Sequence, residues 1–560
     1  MIRRKLIVMM LMIVSISSFA QAPKWAKNAA KSLFTLTTFK QDGSILSSSN
    51  GFFVSDNGEC VSNFEPFTGA YSASIVDANG KKYNVVEMLG ANDMYDVAKF
   101  KVDAKTSPVD IATGKEAEGS QIWLMPYSIK RDGNTVQGTI RKSELFGESN
   151  VYYTFSLKAP DNAVSCPIFN QSGQAIALLQ KPATSTDTLT YGISAAMAAA
   201  MKTNGLSVND VALRTTNIKI AMPDDHDQAN IFVLMTGNTG DSLKYVNAVN
   251  DFIEKFPEAT EGYTYRAQQE SDANNFTAAN NDMLTAIKMA KDKAEAHYSF
   301  SKLIYQKELT KPNTPFADWN LDRSLEEASK AYAINKLPMY QYQQALVYFA
   351  QKKYDDAYNI YTQLFNSPLR NASLFYEAAR CKEMAKAPIE NIIALVDSSV
   401  NCYSQPYVKE AAPYLLARAQ YKEQAGKYRE AVSDYNEYEK VMIAEVNDKF
   451  YYTREQVEVK GKLYQQAIND ISTAITKNPT EAIYYAEQGS LQLRVNLVAE
   501  AEKSAQDCIK IDPKYADGYL VLGLAQVHQN KKAEGIANFN KAKELGSDQA
   551  EALIKKYSGN

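Results

Sequence analysis

The stretch PTEAIYYAEQGSLQLRVNLVAEAEKSAQDCIKID, residues 479–512, runs directly into PKYADGYLVLGLAQVHQNKKAEGIANFNKA, residues 513–542, and the second reads as a loose copy of the first. Pro479 and Pro513, Tyr485 and Tyr519, Gly489 and Gly523, and Cys508 and Ala542 each stand 34 residues apart. A unit of that length holds two short helices, which cannot bury their apolar faces alone and must stack on further copies. The expected product is a curved surface that binds proteins.

The same phase extends upstream. Small Ala345 precedes Tyr354, Ala357 and Tyr361; Ala419 and Gly426 precede Tyr428, Ala431 and Tyr435; Tyr464, Ala467, Ile471 and Ala474 lead to Pro479. Tyr263, Ala267, Phe276, Ala279 and Ala286 keep the spacing, and Ala248 with Phe252 suits the second helix of a first unit. Small residues let two antiparallel helices approach, and large ones fill the groove between them. These residues resemble the tetratricopeptide repeat (TPR) family, over residues 226–560 in about nine units. The segment LTKPNTPFADWN, from Leu309 to Asn320, inserts a loop in the third unit, and Pro388 and Pro406 distort the fifth. Gln549 to Tyr557 reads as a capping helix, since no further repeat covers it.

A chain of 560 residues is too long for one core. With 61 basic against 64 acidic residues and no run of Lys and Arg, nothing recruits nucleic acid. At the N-terminus, Arg3, Arg4 and Lys5 precede an uncharged stretch from Leu6 to Ile16, with small Ser18 and Ala20 beyond. That pattern predicts a secretory signal peptide over residues 1–20, cut before Gln21, and a periplasmic or secreted protein with no integral membrane segment after cleavage. Five scattered cysteines, Cys60, Cys166, Cys381, Cys402 and Cys508, are too few for a disulfide scaffold. Export permits a Cys60 to Cys166 or a Cys381 to Cys402 bridge, and buried free thiols are the alternative.

Residues 21–204 have a different texture. Short alternating segments such as LFTLTTF and QAIALLQ, separated by Gly, Asn, Asp and Ser turns, predict an all-β sandwich or barrel. Residues 205–225 read as the linker to the repeats. The segments SNGFFVSDNGECVSNFEPFTGA, GANDMYDVAKFKV and APDNAVSCPIFNQSGQAIALLQ, in that order and spacing, resemble the trypsin-like domain of the HtrA serine proteases. The resemblance implies a trypsin-like double barrel followed by an all-α TPR solenoid.

By that resemblance the triad positions read Glu65, Asp96 and Val164, so only the acid survives, while Asn162, Ser165 and Cys166 stand at the motif's glycine positions. The chain has three histidines, His226, His297 and His528, all at or beyond the start of the repeats. A serine hydroxyl without a positioned base is a poor nucleophile. The expectation is a noncatalytic pseudoprotease. The fallback nucleophiles are Ser165 and Cys166, with Glu65 or Asp96 as base, which would make an active exported peptidase. A cell-envelope assembly factor is the third reading.

No HExxH, paired CxxC or phosphate-binding GK[ST] loop occurs; GNTGDSLK at Gly237–Lys244 only mimics the last. No cofactor or metal is expected. The TPR resemblance implies a protein or peptide ligand along the concave face of the first helices. The positions that point there hold Tyr342, Leu346, Phe349, Tyr452, Gln456, Lys460, Arg494, Leu520, Leu524 and His528. They lack the Lys and Asn pattern with which some relatives clamp a terminal carboxylate.

Overall fold

The computed structural model describes residues 23–130, 133–147, 150–181 and 189–559; the expected signal peptide lies outside them. The chain divides into two compact units. One runs to Glu270 and includes Met289–Lys291, and the other comprises Ser271–Lys288 and Asp292–Asn560.

The first unit contains two closed antiparallel barrels, each of six strands. Strands β1 (Leu33–Phe39), β2 (Ile45–Phe53), β3 (Glu59–Ser62), β4 (Ser72–Asp77), β5 (Lys82–Asn92) and β6 (Val97–Val102) close in the order β1-β2-β3-β6-β5-β4. Strands β7 (Gln121–Leu124), β8 (Val136–Phe146), β9 (Asn150–Ser156), β10 (Pro167–Phe169), β11 (Ala175–Leu179) and β12 (Thr190–Ser194) close as β10-β11-β12-β9-β8-β7. This is a trypsin-like double barrel. Alternation explains the strands: along LFTLTTF, Phe34 and Leu36 point into the first barrel beside Phe53, Ile75 and Phe100, all essentially buried. Ile122, Leu124, Ile140, Phe155 and Ile168 fill the second. Leu33, Phe52, Val61, Phe169, Leu178 and Ile193 form a further cluster where the barrels meet. Gly51 in β2 is required by contact, because a Cβ there would lie 2.4 Å from the Val61 carbonyl oxygen and 2.5 Å from the Phe34 ring.

The stretch 205–225 is tied to the first barrel. Met88 N–H donates to the Lys219 carbonyl (2.7 Å) and Ala221 N–H to the Met88 carbonyl (2.9 Å), while Ala212, Leu213 and Ile218 enter that barrel's core.

Helices then follow, with no further strand among the described residues, from His226–Gly237 and Ser242–Lys255 to Ala516–His528 and Lys532–Glu544, with Ala550–Ser558 last. Side-chain caps start many of them: Asp225, Asp292, Asn320, Asn371 and Asn447 accept from amides in the first turn. The turns inside successive pairs share one device. Lys352, Lys386, Gly426, Lys462, Asn496 and Asn530 have positive φ, and the next amide in each case reaches back to the helix, as Leu497 N–H does to the Gln492 carbonyl (2.8 Å). This Schellman closure satisfies the terminal carbonyls. The Leu309–Asn320 insertion packs inward: Trp319 is 2% exposed, lies against Phe276 and Phe300, and donates from Nε1 to Asn280 Oδ1 at 2.9 Å. Ala550–Ser558 stacks Tyr557 on Phe539, which covers the last pair as a cap must.

Candidate functional site

Asp96 sits at the β5–β6 turn with φ 47°. Its Oδ1 accepts from the backbone amides of Phe64 (2.9 Å) and Glu65 (2.7 Å). The carboxylate therefore anchors the short turn Glu65–Phe67 by its backbone. The Glu65 side chain turns to solvent, where it meets Lys181 Nζ at 3.3 Å with both side chains 63% exposed. Asp96 and Glu65 are brought together through the chain, without their carboxyls sharing a site.

Val164, at the position the resemblance gives to a nucleophile, offers only an aliphatic side chain. Ser165 beside it is wholly buried and adopts φ 67°, the left-handed region that favours glycine, which matches its place at a glycine position of the motif. Its Oγ accepts from the Asn63 amide at 2.9 Å and donates to Asn63 Oδ1 at 2.8 Å. An amide oxygen is no base, so the proton that Oγ would have to lose on attack is held by a group that cannot take it. Ser49 Oγ also donates to Asn63 Oδ1, at 2.6 Å. Asn50 Nδ2 bonds the carbonyls of Asn162 (2.8 Å) and Val164 (3.1 Å), pinning this loop of the second barrel to β2 of the first.

Cys166 is fully buried, and burial pushes its thiol up to about 12, so it stays protonated near neutrality. All five cysteines are free thiols; Cys402 alone is exposed. Nothing in the segment SNGFFVSDNGECVSNFEPF marks the bonding roles of Ser49, Asn50 and Asn63. Asn50 and Asn63 act on a loop more than a hundred residues away, and Ser49 acts through Asn63.

The three histidines all lie on helices. His226 contacts Asp227 and lies edge-on to Phe256, and His297 bonds buried Glu327. His528 is exposed at the end of its helix. No group of three or more His, Cys, Asp or Glu side chains suited to a metal occurs among the described residues, and no helix among them is long and apolar enough to cross a membrane.

On the first helices of the pairs, Tyr342, Leu346, Phe349, Tyr452, Gln456 and Leu524 are half-buried, while Lys460, Arg494 and His528 are exposed. Tyr342 lies 5.9 Å from the Tyr361 ring and Tyr452 lies 5.2 Å from Tyr484. Gln456 Nε2 donates to Glu455 Oε2 (2.6 Å), and Lys460 pairs with Glu423 (2.8 Å). Leu520 differs from the rest: it is 5% exposed and packs with Phe539 and Ala542, so it fills the interior of its own pair.

Unforeseen is a buried charged network in helix Asp448–Lys460. Arg454 donates to Asp470 (2.6 and 2.8 Å), Glu439 (2.6 Å) and Asn436 (2.9 Å). Glu455 stands 34 residues before Gly489, where other units have a small residue, and it is fully buried with Oε1 unbonded. Glu458 faces Asp470. The corresponding residues in other units are bonded pairs: Lys422 to Asp434 (2.8 Å), Gln492 to Ser504 (2.9 Å) and Gln526 to Asn538 (2.7 Å). Two acids cannot reproduce that bond when both are ionised. Burial first, then the Glu487 charge, raises Glu455 to about 8; burial and Asp470 raise Glu458 to about 8.

No protein-family model matches the chain. One stretch of 96 residues is 35% identical to small glutamine-rich tetratricopeptide repeat-containing protein 2 of Saccharomyces cerevisiae, covering 17% of this chain and 28% of that protein. Another comparison, over 94 residues, gives 24% identity to the Hsp70-Hsp90 organizing protein of Triticum aestivum, covering 17% of this chain and 16% of the relative. The chain thus spans less than a third of the length of the curated relatives it matches. Together with the paired helices, these similarities fit a TPR-like array that follows the double barrel in the chain.

Proposed function

We propose that this chain is an exported protein-binding scaffold, in which a noncatalytic trypsin-like domain accompanies a TPR array that holds a protein or peptide along its first helices. The observation that carries the noncatalytic half is the buried Ser165 hydroxyl, bonded in both directions by Asn63. It leaves no presented nucleophile next to Asp96, whose carboxylate is occupied with two backbone amides. Cys166, the fallback, is sealed and protonated. Support for binding comes from the half-buried aromatic and aliphatic side chains Tyr342, Leu346, Phe349, Tyr452 and Leu524 on three of the first helices, a composition that favours recognition surfaces. A relative named for organizing Hsp70 and Hsp90 is itself a protein that engages proteins, which supports the same reading here.

Two experiments test this. Purified protein is incubated with unfolded casein and a serine- and cysteine-reactive probe; we expect neither cleavage nor labelling at Ser165 or Cys166, and cleavage abolished by Ser165→Ala or Cys166→Ala would overturn the noncatalytic reading. A photo-crosslinking residue is then placed in cells at Tyr452 or, as a control, at exposed Lys503 of helix Val498–Ile511. Adducts from position 452 alone are expected. Fractionating the same cells tests export, with a mature N-terminus at Gln21 as the expected result.

A further inference from the structure

Between helix Tyr354–Leu364 and helix Ala372–Met384 the chain takes seven residues, 365–371, and after helix Ile389–Val400 it takes eight, 401–408, before the next helical turn. Connections elsewhere are shorter, with three residues at 290–292 and four at 478–481. The repeat phase breaks in this same stretch, around Pro388 and Pro406. A cavity of about 580 Å³ lies where the two long connections meet. Arg370 and Asn371 line it from the first, Asn401, Cys402 and Tyr403 from the second, with Ala372 beside them.

Arg370 is the only charged residue of that lining, and no carboxylate belongs to it. The guanidinium lies 5.3 Å from the Phe375 ring and makes no ion pair or hydrogen bond among the described residues. Asn371 Oδ1 accepts from the Leu374 amide at 2.9 Å, which leaves its nitrogen to donate. Asp397, one turn before Asn401, is paired with Arg418 at 3.2 Å. Tyr403 stacks on Tyr414, the ring centroids 6.0 Å apart and the planes at 26°. A cation would be repelled here, and a neutral apolar molecule would strip water from the guanidinium and the amides without replacing their hydrogen bonds. A phosphate dianion would carry one charge that the single guanidinium does not balance. A carboxylate matches it in charge and in its planar, two-pronged geometry. The volume exceeds what one inorganic anion fills and falls within the roughly 300–1,000 Å³ of small-molecule pockets.

We propose that this cavity binds a small monocarboxylic acid, with the carboxylate on Arg370, supported by the side-chain amides of Asn371 and Asn401, and with the apolar body of the acid against Tyr403 and Ala372. The site is separate from the first-helix surface assigned to protein partners, and it stands or falls independently of that reading.

Cys402, the one exposed thiol, stands in the cavity wall and reports on its occupancy. The full-length mature protein is labelled with a neutral maleimide, and the rate at Cys402 is followed by mass spectrometry with and without hexanoate, benzoate or 2-naphthoate, each compared with its own primary amide. At least one acid at about 10 mM should slow labelling by about sixfold, as a Kd of about 2 mM requires, while its amide leaves the rate unchanged. The ratio of rates with and without acid is read within each variant, so any change in the reactivity of the thiol itself cancels. Arg370→Gln should abolish the protection, and Arg370→Lys, which keeps the charge but loses the fork, should retain about twofold. No protection by any of the acids, equal protection by an amide, or protection that persists in Arg370→Gln would overturn the site. Stronger protection by inorganic phosphate would overturn the carboxylate class, and stronger protection by a blocked Ala-Glu-Ala peptide would assign the cavity to a partner's acidic side chain in place of a small molecule.

Discussion

The Ser165 hydroxyl and Asn63 exchange two hydrogen bonds across the junction of the barrels: the Asn63 amide donates to Oγ at 2.9 Å, and Oγ donates to Asn63 Oδ1 at 2.8 Å. The hydroxyl thereby fastens one barrel to the other. Ser165→Ala leaves the buried Asn63 amide without its acceptor, so we expect a loss of about 1–3 kcal/mol. Chemical denaturation monitored by tryptophan fluorescence measures it.

Thiol accessibility distinguishes packing cysteines from a reactive one. Cys60, Cys166, Cys381 and Cys508 are buried, and burial raises all four thiols. Cys402 is exposed. In native protein a thiol reagent should modify Cys402 quickly and the other four only after denaturant is added, with peptide mapping as the readout. Rapid native labelling of Cys166 would contradict the packing described.

Glu458 and Asp470 make the array sensitive to alkali. Both Glu455 and Glu458 are held near 8 against an ordinary value of 4.5, so the folded state keeps protons that the unfolded chain releases. Their contribution is complete below about pH 4.5 and disappears as pH rises through about 8. Glu458→Gln restores the amide found at Gln492 and Gln526. The variant should match the parent near pH 4.5 and exceed it at pH 8 by on the order of a few kcal/mol, read from melting curves across that range.

Gly523 is pressed against the second helix of its pair. A Cβ there would meet the Phe539 ring at 2.6 Å and the Gly535 carbonyl oxygen at 2.8 Å. Alanine normally favours a helix over glycine by about 1 kcal/mol. Here the overlap dominates, and Gly523→Ala should destabilise the array by about 1–3 kcal/mol in thermal unfolding.

Much of the architecture was legible because it is periodic. The recurring Ala, Tyr and Gly of residues 479–542 report helix contacts that are local in sequence, and the alternation of LFTLTTF reports a strand with one buried face. Less legible were the turns, where Lys352, Lys462 and Asn496 adopt the left-handed conformation that glycine usually marks. Leu520 was misleading for a related reason: its register suits an inner-face position, yet the local packing takes it inside.

By itself the sequence determined the order of a β region and a helical repeat, and the absence of histidine from the β region, since these follow from pattern and composition. Tertiary structure alone decided what single polar side chains do. Asn50 and Asn63 meet the loop of Ser165 from more than a hundred residues away, and Arg454 meets Glu439 and Asp470, carried by two other helices. Such meetings depend on how barrels close and helices stack, and a hydrogen bond or an exposed charge leaves no period in the chain to announce it.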